Sequence, residues 1–192
     1  MSEWKEKIET MEHYDREAAI YNVQYLEEQN NKIEDIVNSI RFNQDDQVID
    51  LGCGTGFLFD QISQNIKILV GIDLSINSLK EAKKRLKKSS NIALVRADAD
   101  NIPFLNQFFD KIIAISLLQN MPNNLKTLEE MKRIAKSETV FAITGLKKKF
   151  SKASFLNLLG SANLNVIRLS TDQKLKGYVA ICKNKNLTVD FI

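Results

Sequence analysis

Residues 48–57 read VIDLGCGTGF and place three glycines in five positions just behind an acid, Asp50. Glycine loses more conformational freedom on folding than any other residue, so such a cluster marks a turn where backbone must come close to something. The dinucleotide fingerprint G-x-G-x-x-G needs a further glycine at 57 or 59, and both positions are Phe. A P-loop needs GK[ST] after its glycines, and none follows. What stands is G-x-G-x-G at Gly52, Gly54 and Gly56. A free carboxylate at position 50 repels a pyrophosphate but attracts the ammonium end of a zwitterion. Glycine amides and a following helix start can face a carboxylate or a ribose.

Two more acids repeat the placement. Asp73 ends the apolar run KILVGID, about twenty residues after the first glycine, where an acid accepts both hydroxyls of a ribose. Asp98, with Ala99 beside it, ends IALVRAD, where an acid can accept from an adenine amino group. Any one of them also reads as a turn residue or a helix cap. Three at the ends of three successive runs point to one ligand.

The elements that must hold these residues follow from periodicity. Residues 1–45 carry neither Gly nor Pro, and Ile33, Ile36, Val37 and Ile40 lie at helical spacing, so this segment reads as helices. After Asp46, short apolar runs alternate with amphipathic stretches, the pattern of βα units and a parallel sheet. Strands are expected at QVIDL, KILVGID, IALVRAD, KIIAISLL and TVFAITGL. Helices are expected from about Phe57 to Ser63, Ser75 to Lys88, Asn123 to Ala135 and Lys152 to Ala162. LNVIRLS and KGYVAICK are separated by TDQKL, too short for a helical crossover, and must pair as a hairpin. The sum is a seven-stranded α/β sheet with no internal repeat and no second domain.

Bulk properties exclude several classes. The 192 residues suit one domain with a real core. No apolar run reaches the roughly 18 residues of a membrane helix, and MSEWKEKIET lacks an apolar signal region, so a cytoplasmic protein is expected. Cys53 and Cys182 lack metal-ligand spacing, and no metal is expected. The single histidine, His13, is a poor basis for a catalytic triad. A net charge of +3 permits a polyanionic partner without requiring one.

VIDLGCGTG, GIDLS, RADADNIPF and FDKIIAISLLQNMPN, taken in order, resemble the four successive motifs of class I S-adenosylmethionine-dependent methyltransferases. LLQNMP and the Leu- and Glu-rich helix after it resemble the quinone-biosynthesis group of that class. The resemblance implies S-adenosylmethionine as cofactor and a doubly wound sheet of order 3-2-1-4-5-7-6, its last strand antiparallel, with helices on both faces. It also implies one domain over 1–192: a helical segment at 1–45, a cofactor-binding core at 46–146, and a C-terminal helix and hairpin at 147–192. Carried over residue by residue, it makes Asp50, Gly52, Cys53, Gly54 and Gly56 the cofactor loop. Asp73 and Leu74 meet the ribose, Asp98 and Ala99 the adenine, and Ser116 and Leu117 the methionine side and sulfonium. One departure is KSETV, where many relatives have a Pro-Gly-Gly turn.

No residue announces itself as a catalytic base. Tyr14, Tyr21 and Tyr25 read first as helix packing, with Tyr21 the candidate for a role in catalysis. The Asn-Pro-Pro-Tyr tetrapeptide of many amino-group methyltransferases is replaced by LLQNMPN, which makes Gln119 and Asn120 candidates for orienting the acceptor. The chain has no inserted lid, and an open site favours RNA or protein slightly over a metabolite. Lys147, Lys148 and Lys149 lie where they could meet phosphates, whereas Lys83, Lys84, Arg85, Lys87 and Lys88 read as a solvated face. The third strand is expected at a sheet edge, where a small activator protein could pair with it.

Overall fold

The computed structural model describes residues 2–86 and 90–185. Its centre is a seven-stranded sheet of order β3-β2-β1-β4-β5-β7-β6. The strands are β1 (Gln47–Leu51), β2 (Ile68–Asp73), β3 (Ile92–Arg96), β4 (Phe109–Ala114), β5 (Ala135–Leu146), β6 (Leu164–Ser170) and β7 (Gly177–Asn184). Pairing is parallel from β3 through β5, and β7 runs antiparallel to both β5 and β6. The expected order, the antiparallel closing strand and the edge position of β3 are all found. Strand order reverses between β1 and β4, and that reversal opens a crevice at the strands' carboxyl ends.

Both faces of the sheet are covered, so the central strands are apolar on both sides. Ile49, Leu51, Ile112 and Phe141 pack beneath α4 (Asn124–Ile134) and α5 (Lys152–Ser161), against Leu128, Met131, Phe155 and Leu159. Val48, Ile113 and Ala142 face α2 (Phe59–Ile62), α3 (Ile76–Arg85) and the end of α1, against Phe59, Leu79, Ala82, Ile33 and Ile36.

Several boundaries differ from expectation, each for a local reason. The N-terminal segment is one helix, α1 (Glu3–Val37), because no Gly or Pro interrupts it and Ser2 caps its start. The helix after the glycines begins only at Phe59 and passes into a 3-10 turn at Ser63–Asn65, since the left-handed Gly56 delays it. Ser75 caps α3 rather than joining it, and Lys87 and Lys88 lie outside the described residues. β4 stops at Ala114 instead of reaching Leu118, because Ser116 turns left-handed at φ 58°. KSETV forms no turn at all: β5 starts directly at the end of α4.

Candidate functional site

The crevice contains a cavity of about 100 Å³ beyond the ends of β1, β2 and β4. Gly52, Gly54, Asp73, Asp98 and Ser116 line its floor, and Leu74, Ala99, Leu117 and Asn120 also border it. An adjoining cavity of about 40 Å³ shares Gly52, Gly54 and Tyr21 with the first and adds Asp50, Cys53 and Gln29. Eleven residues anticipated from sequence as cofactor contacts therefore divide cleanly: all but Gly56 border one cavity or the other.

Gly54 and Gly56 show why that division arises. Gly54 sits at φ +53°, and a Cβ placed on it would meet nothing within 4 Å, so its bare backbone faces open space. Gly56, at φ +80°, would drive a Cβ to 2.5 Å from the buried Phe59 ring. The first glycine leaves room for a ligand. The second leaves room for the core.

The acids differ as sharply. Both oxygens of Asp73 are oriented by backbone, Oδ1 by the Ser75 amide at 2.8 Å and Oδ2 by the Gly54 amide at 2.9 Å. Burial still pushes its carboxyl above the usual range, against the pull of those amides. A carboxylate so held keeps lone pairs for further donors. Asp50 is 3% exposed, and its carboxyl accepts no hydrogen bond from any described residue. Burial, and then the charge of Asp73, push its carboxyl up to about 7. A buried acid without a donor is costly unless a ligand supplies one.

Asp98 is already engaged. Lys7, from the first turns of α1, donates to its two oxygens at 2.9 and 2.8 Å and also to Asp100. Asp100 accepts in addition from Thr127. Burial presses the Lys7 ammonium down, but its bonds to Asp100 and Asp98 outweigh this and the net shift is upward. Lys7 carries no sequence signature of this role, because a lysine in so charged a helix reads as solvated.

Lys7 belongs to a roof. Thr10, Met11, Tyr14 and Tyr21 of α1 line the same cavity from above, so the open site expected from the missing lid is not found. Tyr14 accepts from Asn120 at 2.9 Å, Asp15 accepts from Ser75 and Asn77, and Thr55 donates to Asn22 at 2.6 Å. His13 stays outside, half exposed beside Glu17.

At the fourth acidless corner, Ser116 is fixed from every side. Its amide donates to Thr144 at 2.7 Å, and its carbonyl accepts from Gln119 at 2.7 Å and Asn120 at 3.1 Å. Gln119 therefore shapes the loop without bordering the cavity, whereas Asn120 borders it. Burial pushes the phenol of Tyr21 far up, so at neutral pH it is a proton donor and not a base. Cys53 is buried with its thiol pushed up by burial, which makes it no nucleophile. No group of three potential metal ligands occurs among the described residues.

The basic residues also separate. Lys147 spends its amine on the carbonyls of Asp172 and Leu175, leaving Lys148 and Lys149 exposed. Arg85 turns inward, donating to the Thr55 carbonyl at 2.9 Å and covering the Phe57 ring, so it braces the glycine loop.

A mixed sheet with this strand order and an antiparallel β7, a glycine turn after β1 and an acid at the end of β2 define the fold of the S-adenosylmethionine-dependent methyltransferases. The chain belongs to the methyltransferase-domain family, whose model matches residues 42–181. It is 32% identical over 143 residues to an uncharacterised protein of Methanocaldococcus jannaschii, covering 73% of this chain and 53% of that protein. It is 31% identical over 104 residues to the demethylmenaquinone methyltransferase of Staphylococcus saprophyticus, covering 53% of this chain and 45% of that one. The chain thus spans about half the length of the curated relatives it matches. Among solved structures, a methyltransferase of Haloferax volcanii, in complex with the Trm112 methyltransferase activator, superposes with a TM-score of 0.76 at 15% identity. That match covers 90% of this chain and 98% of the other. S-adenosylmethionine is the cofactor of this class. The residues fit it: a buried acid awaiting a cation, a glycine facing open space, and a carboxylate held ready for hydroxyls. No helix among the described residues is long and apolar enough to cross a membrane.

Proposed function

We propose that the chain transfers the methyl group of S-adenosylmethionine to a small acceptor that enters beneath α1. The observation that carries this reading is Asp50, its carboxyl buried without a donor near the end of the strand that pairs with the one ending in the oriented Asp73. Bound there, the cofactor supplies a methyl group already activated on a sulfonium. Asp50 would hold the ammonium end, and Gly52, Cys53 and Gly54 would let it approach the backbone. Asp73 and Leu74 would take the ribose, Asp98 and Ala99 the adenine. Ser116 and Leu117 would line the methionine side and the sulfonium. Gly56 serves by shaping the loop. The roof excludes water and restricts approach, so alignment and a dry site supply most of the catalysis. We read 1–192 as one such domain, its core at 46–146.

Roofing also supports a small acceptor over the macromolecule favoured by an open site. A macromolecular acceptor keeps one observation in its support. The free edge of β3 is only half buried, and the Haloferax volcanii relative is one that binds an activator protein. The test uses purified protein, methyl-labelled S-adenosylmethionine and extract from cells lacking the protein. Label that dialyses away is the expected result. Label released only by nuclease or protease would reject the small acceptor, and absence of transfer despite binding would leave a binding module.

A further inference from the structure

Three hydroxyls border the main cavity at the end where Ser116 stands: those of Ser116, Tyr14 and Tyr21. Hydrogen-bond accounting gives all three the same unused capacity. Asn120 donates through its amide nitrogen to the Ser116 carbonyl, which can only accept, so its orientation is fixed. The same nitrogen reaches the Tyr14 oxygen at 2.9 Å, so Tyr14 must accept there and keeps its own proton. Lys32, 4% exposed and paired with Glu28 at 2.9 Å, can only donate, and it reaches the Ser116 hydroxyl oxygen at 3.1 Å. Gln29 donates from one nitrogen to Ser116 at 3.3 Å and to Tyr21 at 3.2 Å.

Each hydroxyl oxygen is thus occupied from behind, and none of the three protons has an acceptor among the described residues. Burial raises both phenols, which keeps those protons in place at neutral pH. The left-handed backbone at Ser116, φ 58°, aims its side chain and costs strain of the order met at functional sites.

We propose that Ser116, Tyr14 and Tyr21 form a three-donor site for an anionic oxygen of the acceptor, with Lys32, Gln29 and Asn120 as positioning residues behind them. The inference rests on the functional reading above and sharpens it: the acceptor is a molecule with an ionisable oxygen, of phenol, enol or carboxylic acid type. Donors preset in a water-poor cavity stabilise such an oxygen far better than bulk water does.

The probe is 4-nitrophenol, whose ionisation is read directly by absorbance. It is titrated against the protein with and without S-adenosylhomocysteine, whose own binding is measured by calorimetry. The bound probe should ionise at lower pH than the free one. Tyr14→Phe, Ser116→Ala and Lys32→Met should each weaken phenolate binding roughly tenfold while circular dichroism shows the fold retained. A bound probe that ionises as in water would overturn the proposal, as would folded variants that bind it as wild type does. So would variants that lose affinity for S-adenosylhomocysteine but not for 5′-methylthioadenosine or the phenolate, since the donors would then hold the cofactor's own carboxylate. Phenolate capture with no S-adenosylhomocysteine binding would sink the cofactor reading and leave the donor site standing.

Discussion

The cleft has a floor and a roof, and they are built on different physics. The floor consists of strand ends and turns whose strands are sealed in the core: Val48, Ile49, Leu51, Leu69 and Ile72 are all fully buried. Its polar groups are oriented by backbone, as the two amides on Asp73 show. The roof is the first three-quarters of α1, where only Lys7 and Ala18 are buried before Gln29. It is held by side-chain bonds to Asp98, Asp100, Asn120, Ser75, Asn77 and Thr55. Before Ile33, Ile36 and Ile40, Ala18 is the one buried apolar residue among the described residues of this helix. A floor of this kind cannot move without unfolding the sheet. A roof held by exchangeable polar bonds can open and admit ligand.

Five changes would break or sharpen that contrast. The largest effect belongs to the floor's central acid. Asp73→Ala should lower affinity for S-adenosylhomocysteine by roughly 100-fold, since two hydroxyl bonds to a charged group are lost together. Calorimetry that finds unchanged binding would remove Asp73 from the site.

Gly56→Ala should cost stability rather than affinity. A Cβ at φ +80° and 2.5 Å from Phe59 forces a shift in a ring that is 1% exposed. The expected loss is ~2–4 kcal/mol by denaturant melting. An equal change at Gly54, which faces open space, should be felt mainly in binding. Similar behaviour at both glycines would erase the division between them.

Asp50 sharpens the floor through pH. Its carboxyl is raised to about 7 in the folded protein, against 3.8 ordinarily. Between those values the folded state keeps a proton that the unfolded chain releases. This acid's contribution to stability is therefore fully present below about 4 and is lost as pH rises through about 7. Binding of an ammonium runs the other way, because it needs the ionised acid. Affinity for S-adenosylhomocysteine should rise roughly tenfold from pH 6 to pH 8. Asp50→Asn should flatten that profile, and a wild-type profile already flat would take the ammonium away from Asp50.

These expectations also mark what the sequence could and could not show. The floor was legible because strand periodicity, the glycine spacing and acids at strand ends are local patterns. The run of strands and helices follows from them, the strand order follows from the family resemblance they carry, and ten of the eleven residues which that resemblance assigns to the cofactor border the two cavities. The roof is legible only in part: the resemblance puts Tyr14 and Tyr21 on helices over the site, but its charged and amide side chains carry no such signal. Lys7, Gln29 and Lys32 are polar residues in a polar helix, and only the tertiary path of α1 turns them inward, where they are 6%, 7% and 4% exposed. In sequence alone, a glycine that leaves room for a ring in the core, as Gly56 does, has the same signature as one that leaves room for a cofactor. The one signal available was the Phe three residues later, at position 59.

The smallest expected effect decides whether floor and roof are separate at all. Lys7→Met removes the ammonium shared by Asp98 and Asp100, and Asp100 has a side chain only 1% exposed. Stripping the partner from a buried charge costs ~3–5 kcal/mol when the charge stays buried. Here it need not stay buried, because lifting the start of α1 returns both carboxylates to water without disturbing the sheet. The loss is therefore capped by the free energy of local opening, and global stability should fall by ~1 kcal/mol or less. Amide exchange should speed up over residues 3–28 and remain slow in β1, β4 and β5. A global loss of the full buried-pair size, with exchange rising uniformly, would mean that the roof and floor unfold as one and that the cleft has no independent door.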